Sequence, residues 1–333
     1  MVQADIRTLS FEGDGPVDLL AGGAPCQPFS IGGKHRGTGD SRNMIPEYIR
    51  AIRELTPKAF IFENVKGLLR PAFHPYFDYV TLQFSNPEIG PNGGEHWSEH
   101  FERLKAQPSG SGLHYRLCWR LLNAADYGAP QVRQRVLVVG FRDDLSVDWE
   151  FPEPTHSLDA LMFDQWSSGE YWERHGLRKP PPSAEVLAGK YRPTLLGSTA
   201  VSGRQPWRTV RDALEGLPEP AVTATCHAVI NHRLNPGARA YAGHTGSPLD
   251  LPAKTLKAGD HGVPGGENML AYPDGSVRYF TVRESARLQT FPDEWIFEGT
   301  WSESMRQLGN AVPVSLAAAV ARGVAAKLTA LDE

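Results

Sequence analysis

The feature that most constrains this chain is the alternation of short apolar runs with stretches of helical periodicity. Residues 17–21 (VDLLA), 59–62 (AFIF), 115–122 and 135–141 (RVLVVGF) each read as a strand. The last is continuous and β-branched, the pattern of a strand covered on both faces. Residues 44–55 (MIPEYIRAIREL) carry apolar positions at helical spacing, and 73–105 read as a helical excursion broken by Asn, Gly and Pro near 86–94. Strands separated by helices predict an α/β fold with a parallel sheet and crossover connections. In such sheets ligands bind beyond the carboxyl ends of the strands. Cys26 and the pair Glu63-Asn64 fall at two such ends.

From about residue 151 the texture changes. Prolines stand at 152, 154 and 180–182, periodicity fades, and 258–266 (AGDHGVPGG) is glycine-rich. The regular pattern returns near Thr281, which precedes a helix over 282–289 with Glu284 three residues on, the arrangement of a capping box. An alanine-rich helix over 314–328 closes the chain, with its start at or near Asn310 and Pro313 suited to its first turn. The expected organisation is therefore a first domain over 1–150, a loop-rich second over 151–279, and a return to the first over 280–333.

A formal charge of −4 excludes a generally basic coat but leaves room for a local basic cleft. Cys26, Cys118 and Cys226 are far apart and no C-x-x-C occurs, which argues against a disulfide framework or a zinc site. No metal is expected. No apolar run reaches the length of about 18 residues that a spanning helix needs. A reducing, cytoplasmic setting without membrane attachment is the expectation.

Gly23-Ala24-Pro25-Cys26-Gln27-Pro28-Phe29-Ser30 is the most telling segment. A thiol on a tight turn after a buried strand, fixed by a proline on either side, is set up to react as thiolate. Most lone cysteines are small core residues; this setting argues otherwise. In Phe62-Glu63-Asn64-Val65 a carboxylate at a strand end beside apolar residues can deliver a proton, although a helix-capping or surface Glu would look the same. Gln131-Val132-Arg133-Gln134-Arg135 opens a strand. Alternation would place both guanidinium groups on one face, where they could hold a phosphate or orient a base and a carboxylate. Asn310 in Gln307-Leu308-Gly309-Asn310 reads alone as a helix cap.

Taken together and in this order, these segments resemble the DNA cytosine C5-methyltransferase family. Pro25-Cys26-Gln27 looks like its nucleophile motif, Glu63-Asn64-Val65 its Glu-Asn-Val motif, and Gln131-x-Arg133-x-Arg135 its Gln-x-Arg-x-Arg motif. Residues 278–292 (RYFTVRESARLQTFP) resemble the motif after the target-recognition region, and Gly309-Asn310 the closing one. The resemblance covers residues 1 to about 150 and about 250 to 333. It implies a Rossmann-like S-adenosylmethionine-dependent methyltransferase sheet with a loop-rich target-recognition domain. It also implies a Cys26 adduct at C6 of a flipped-out cytosine, with Glu63 at N3, Arg135 holding the base and Arg133 supporting the site. The partner would be double-stranded DNA. Arg174, Arg178, Lys179, Arg192, Arg204, Arg208, Arg211 and Arg233 are candidate DNA contacts in the second domain.

The family opens with a strand and a Phe-x-Gly-x-Gly-type loop, and neither is found here. Ala4-Asp5-Ile6 looks like the family's third motif, so the sheet is expected to be incomplete, as in a truncated or split enzyme. A second polypeptide supplying the opening motifs is one expectation. Positions where the family meets S-adenosylmethionine are Asp5, Ile6, Pro25, Ile45, Asn310 and Ala311. Two other readings remain open: a subunit that reads DNA without methylating it, and a tRNA-directed relative. The long region between 151 and 266 weighs against the latter.

Overall fold

A computed structural model describes residues 3–11, 13, 17–25, 42–107, 112–181, 203–223, 229–258 and 268–331. The described residues gather into two compact units. One comprises Met1–Leu122, Gln134–Pro152 and Val320–Glu333; the other, Asn123–Arg133 and Glu153–Ala319.

The first unit is built on four strands: β1 (Leu19–Gly23), β2 (Ala59–Val65), β3 (Tyr115–Asn123) and β4 (Gln134–Arg142). They lie in the order β1-β2-β4-β3. β1 and β2 are parallel, in register from Leu19 opposite Ala59 to Gly23 opposite Glu63. β4 runs antiparallel to β2, with Val65 opposite Arg135. The sheet is thus mixed, where strand-helix alternation alone predicts a parallel one. The reason is local. Between β3 and β4 the chain has room only for a 3-10 turn at Ala124–Tyr127, too little for the helical crossover that a parallel neighbour requires.

Helix α1 (Ile45–Leu55) carries a proline in its first turn and ends at Thr56 in the left-handed conformation. It buries Ile45, Tyr48, Ile49, Ile52 and Leu55, one face at helical spacing. The Tyr48 hydroxyl donates to the carbonyls of Ile61 (2.8 Å) and Leu20 (3.2 Å), fastening α1 across β1 and β2. Burial pushes the pKa of that phenol up, so it remains a donor. Gly22 leaves space for the Tyr48 ring, and Gly140 for the Phe60 ring, which lies 2.3 Å from where a Cβ would stand. The core closes around Phe60, Phe62, Phe77, Val80, Phe84, Val136 and Val138. Each such side chain contributes about 1.5–3 kcal/mol by leaving water. The expected helical excursion is two helices, α2 (His74–Ser85) and α3 (Trp97–Ala106). Tyr79 on α2 meets the buried His100 on α3 at 3.0 Å.

The second unit is looser in secondary structure. It holds the short parallel pair β5 (His156–Ser157) and β6 (Gln205–Pro206), and the sheet of β7 (Ser247–Pro248), β8 (Met269–Ala271) and β9 (Val277–Tyr279). Its helices include α4 (Leu158–Phe163), α5 (Glu170–Arg174), α6 (Val210–Leu214), α7 (Val282–Leu288) and α8 (Trp301–Asn310). Val210, Leu256, Leu270, Phe280, Leu288, Phe297 and Leu308 form its main core. α7 has the expected capping box, Thr281 with Glu284. α8 was not anticipated, and Asn310 ends it instead of opening the last helix. Its buried face contains Ser304 and Gly309 beside Met305 and Leu308, so the apolar periodicity is weak. α9 (Val314–Thr329) follows Pro313. Trp301–Thr329 is apolar enough by length and composition to cross a membrane. Ala311, however, is extended and splits it into helices of 10 and 16 residues, each short of the roughly 20 that a span needs.

Candidate active site

Within the first unit, Glu63 and Arg135 come together. Glu63 lies near the carboxyl end of β2 and Arg135 near the start of the antiparallel β4, so the sheet sets them side by side. The Nε of Arg135 lies 2.7 Å from the Oε1 of Glu63, with the two side chains 9% and 17% exposed. The Glu63 carboxyl group is thus held against the Arg135 guanidinium at the strand ends.

The other edge of the site is β1. Its last residue, Gly23, stands directly across from Glu63. A Cβ there would lie 2.8 Å from the Glu63 Oε2. Asn64 is buried; its amide donates to the carbonyl of Ala24 at 3.3 Å and its Oδ1 accepts from the Val65 N–H at 2.9 Å. β2 thus holds the backbone two residues before Cys26. Pro25 is exposed. Cys26 itself lies outside the described residues, as do Arg192, Cys226 and His227. Neither Gly23 nor Asn64 was assigned a role from sequence, although Gly23 is visible in the Gly-Gly-Ala-Pro-Cys run.

Arg133 does not share a face with Arg135. β4 begins at Gln134, and the Arg133 side chain is fully buried in the second unit. Its guanidinium donates to the carbonyls of Leu256 (2.9 Å), Gly309 (2.5 Å) and Ala311 (2.9 Å). Gln131 works alongside it, donating to the Leu288 carbonyl and accepting from the Leu256 N–H. Gly309 is required by packing, because a Cβ would stand 2.2 Å from the Ala258 nitrogen. Residues of the 278–292 segment are also spent on the scaffold. Arg278 grips Glu284 with both terminal nitrogens at 2.7 Å, and Arg283 donates to the carbonyls of Ile230, Pro292 and Trp295. His232 donates from Nε2 to the Pro218 carbonyl and faces the Thr281 hydroxyl.

The positions expected to meet a methyl donor are differently placed. Asp5 caps a 3-10 turn over Ile6–Thr8, and Arg7 beside it holds its carboxyl down to about 2. The Ile6 carbonyl accepts from Arg50. Ile45 is sealed in the core, and the Ala311 carbonyl is engaged by Arg133. Asp5, Pro25 and Asn310 present exposed groups. The Ile45 side chain is thus spent on packing.

Of the candidate DNA-contacting cations, several are already committed. Arg174 pairs with Asp164 and Asp212, and Arg211 with Asp250. Arg233 donates to the Val222 carbonyl and Lys179 to that of Trp166. Arg178, Arg204 and Arg208 are exposed.

A family model described as C-5 cytosine-specific DNA methylase matches residues 1–88, 97–173 and 223–326. The Type II methyltransferase M.NgoMIV of Neisseria gonorrhoeae is 30% identical over 328 residues, spanning 97% of this chain and 82% of the relative. The Type II methyltransferase M.Eco47II of Escherichia coli is 31% identical over 346 residues, spanning 97% of this chain and 67% of the relative. In fold the chain is similar to the crystal structure of the S. pombe Dnmt2 methyltransferase. The TM-score is 0.52 at 19% identity, over 100% of this chain and 85% of that one.

Proposed function

The chain belongs to the C-5 cytosine-specific DNA methylase family, and we propose that it methylates one cytosine in a specific DNA sequence through a covalent bond from Cys26 to C6 of a flipped-out base. At the coarser level, the chain is an enzyme of the cytosine-C5 DNA methyltransferase class with the α/β fold of that class, and the family uses S-adenosylmethionine. The observation that carries the finer reading is the Glu63–Arg135 pair at 2.7 Å, set across the strand ends from the segment that leads into Cys26.

Cytosine C5 is a weak nucleophile. Addition of the Cys26 thiolate at C6 breaks the C5–C6 double bond and leaves C5 as the electron-rich carbon of an enamine. Negative charge then develops toward N3, where Glu63 supplies a proton or a hydrogen bond. Arg135 keeps that carboxyl aimed and holds the base. Arg133 acts at a distance by fixing the carbonyls of Leu256, Gly309 and Ala311. After transfer a base removes the C5 proton, the C5–C6 double bond re-forms, the C6–S bond breaks, and the N3 proton returns to Glu63. S-adenosylmethionine, when bound, supplies the methyl group as an electrophilic sulfonium; within the first unit, Asp5 and Pro25 are exposed residues that would help hold it. C5 and C6 are shielded inside a duplex, so the base must leave the stack.

The test uses duplex DNA synthesised with 5-fluorocytosine throughout, incubated with the protein and S-adenosylmethionine. Fluorine cannot depart as a proton does, so the adduct persists. A species resistant to denaturing electrophoresis that is absent in Cys26→Ser supports the reading. Tight DNA binding with no adduct in the unmodified chain would point instead to a subunit that reads DNA without methylating it.

A further inference from the structure

We propose that Gly23 is a positioning residue for the reaction: its missing side chain is the space in which the Glu63 carboxylate lies. The proposal rests on the reading that Glu63 acts on the cytosine ring. Gly23 and Glu63 are direct partners in the parallel β1–β2 pair. The Glu63 side chain uses both flanking strands. Its Oε1 meets Arg135 of β4 at 2.7 Å, while its Oε2 occupies a point 2.8 Å from where a Cβ on Gly23 would stand. A separation that short is not sustained between a carbon and an oxygen that are not bonded.

Other glycines show why this one is different. At Gly140 a Cβ would meet the Phe60 ring and Leu117, and at Gly309 the backbone of Ala258; both are demanded by packing. Gly23 is absent from the residues with positive φ, so backbone conformation does not demand glycine there. The nearest obstacle is the free end of one side chain; the next is the Glu63 carbonyl at 3.2 Å, which needs a shift of only tenths of an ångström. An alanine at this position is therefore accommodated by turning the Glu63 carboxylate away from Arg135. The fold survives and the aim of the carboxylate does not.

The experiment compares Gly23→Ala, Glu63→Ala and the double variant for methyl transfer to duplex DNA, with thermal unfolding of each. The expected result is a kcat for Gly23→Ala lower by about 10²-fold, the scale of a lost general acid, with KM for DNA changed less than about twofold. In the Glu63→Ala background the same substitution should cost nothing further, because no carboxylate remains to displace. Any loss of melting temperature in Gly23→Ala should also vanish in the double variant. Wild-type turnover in Gly23→Ala overturns the proposal. So does an equal fold-loss from Gly23→Ala with and without Glu63, which would mean that it acts through the strand alone. Wild-type turnover in Glu63→Ala would instead remove the reading of Glu63 on which the proposal stands.

Discussion

Arg133 and Arg135 are two residues apart and face different physical problems. Arg135 is nearly buried beside the half-buried Glu63, whereas Arg133 is wholly enclosed and satisfies three backbone carbonyls. Removing each should therefore fail differently. Arg135→Ala leaves the half-buried Glu63 carboxyl without its ion-pair partner. Methyl transfer should drop by about 10²-fold or more, while stability to urea falls by about 1–3 kcal/mol. Arg133→Ala strips several charge-assisted hydrogen bonds from a dry interior, each worth about 1.5–3 kcal/mol, so it should lower stability by more than 3 kcal/mol. Urea unfolding of the two variants beside kcat separates the roles; equal stability losses would sink the distinction. The Gln-x-Arg-x-Arg pattern is legible in the sequence, but this division is not. Alternation places 133 and 135 on one face only if both lie in the strand, and the strand begins between them.

At the scale of elements, the strands β1 to β4 and the helices α1, α7 and α9 were legible because each carries its own signal, while the short strands β5 to β9 were not read from the sequence. β4 is a continuous β-branched run, α1 has a full apolar stripe, and α7 begins with a capping box. α8 lacks such a signal, since Ser304 and Gly309 occupy half of its buried face and glycine is chosen there by contact with Ala258. The mixed sheet was likewise hidden, because strand direction depends on which strand becomes the neighbour. The cap of α7 invites a direct measurement. Thr281 is fully buried, and its hydroxyl accepts from the Glu284 N–H while facing Nδ1 of His232. Glu284 in turn returns to the Thr281 N–H at 2.8 Å and is gripped by Arg278. Thr281→Val preserves the shape and removes the hydroxyl. It should cost about 1–3 kcal/mol, a cap and a buried partner together. The equivalent change at Thr300, which caps the exposed start of α8, should cost about 1 kcal/mol or less. Urea midpoints rank the two, and a reversed order would show that the cap of α7 is not what holds it.

At the scale of the molecule, one of the places where the two units part is between Pro152 and Glu153. The interleaving is not legible. Asn123–Arg133 joins the second unit while Gln134–Pro152 returns to the first, a consequence of long-range contacts such as Gln131 with Leu288. Each unit contains a histidine held below its ordinary pKa. Burial, then Arg103, lowers His100 in the first unit; burial, then Arg208, lowers His156 in the second. Both therefore take up a proton more readily when unfolded, where the value is about 6.5. Stability rises with pH wherever the unfolded chain binds more protons. Their contribution is fully present above about pH 6.5 and is lost as pH falls below it toward the folded values. The depressed carboxylates act in a lower window. Arg103 holds Glu95 down to about 2 from its ordinary 4.5, so that contribution persists until pH drops below about 4.5. Between roughly pH 7 and 5 the histidines dominate. The urea-unfolding free energy should be flat above pH 7 and decline from there to pH 5, with a shallower decline in His100→Gln, which cannot titrate. A flat profile down to pH 5 in the unmodified chain would show that neither imidazole is buried as the fold requires.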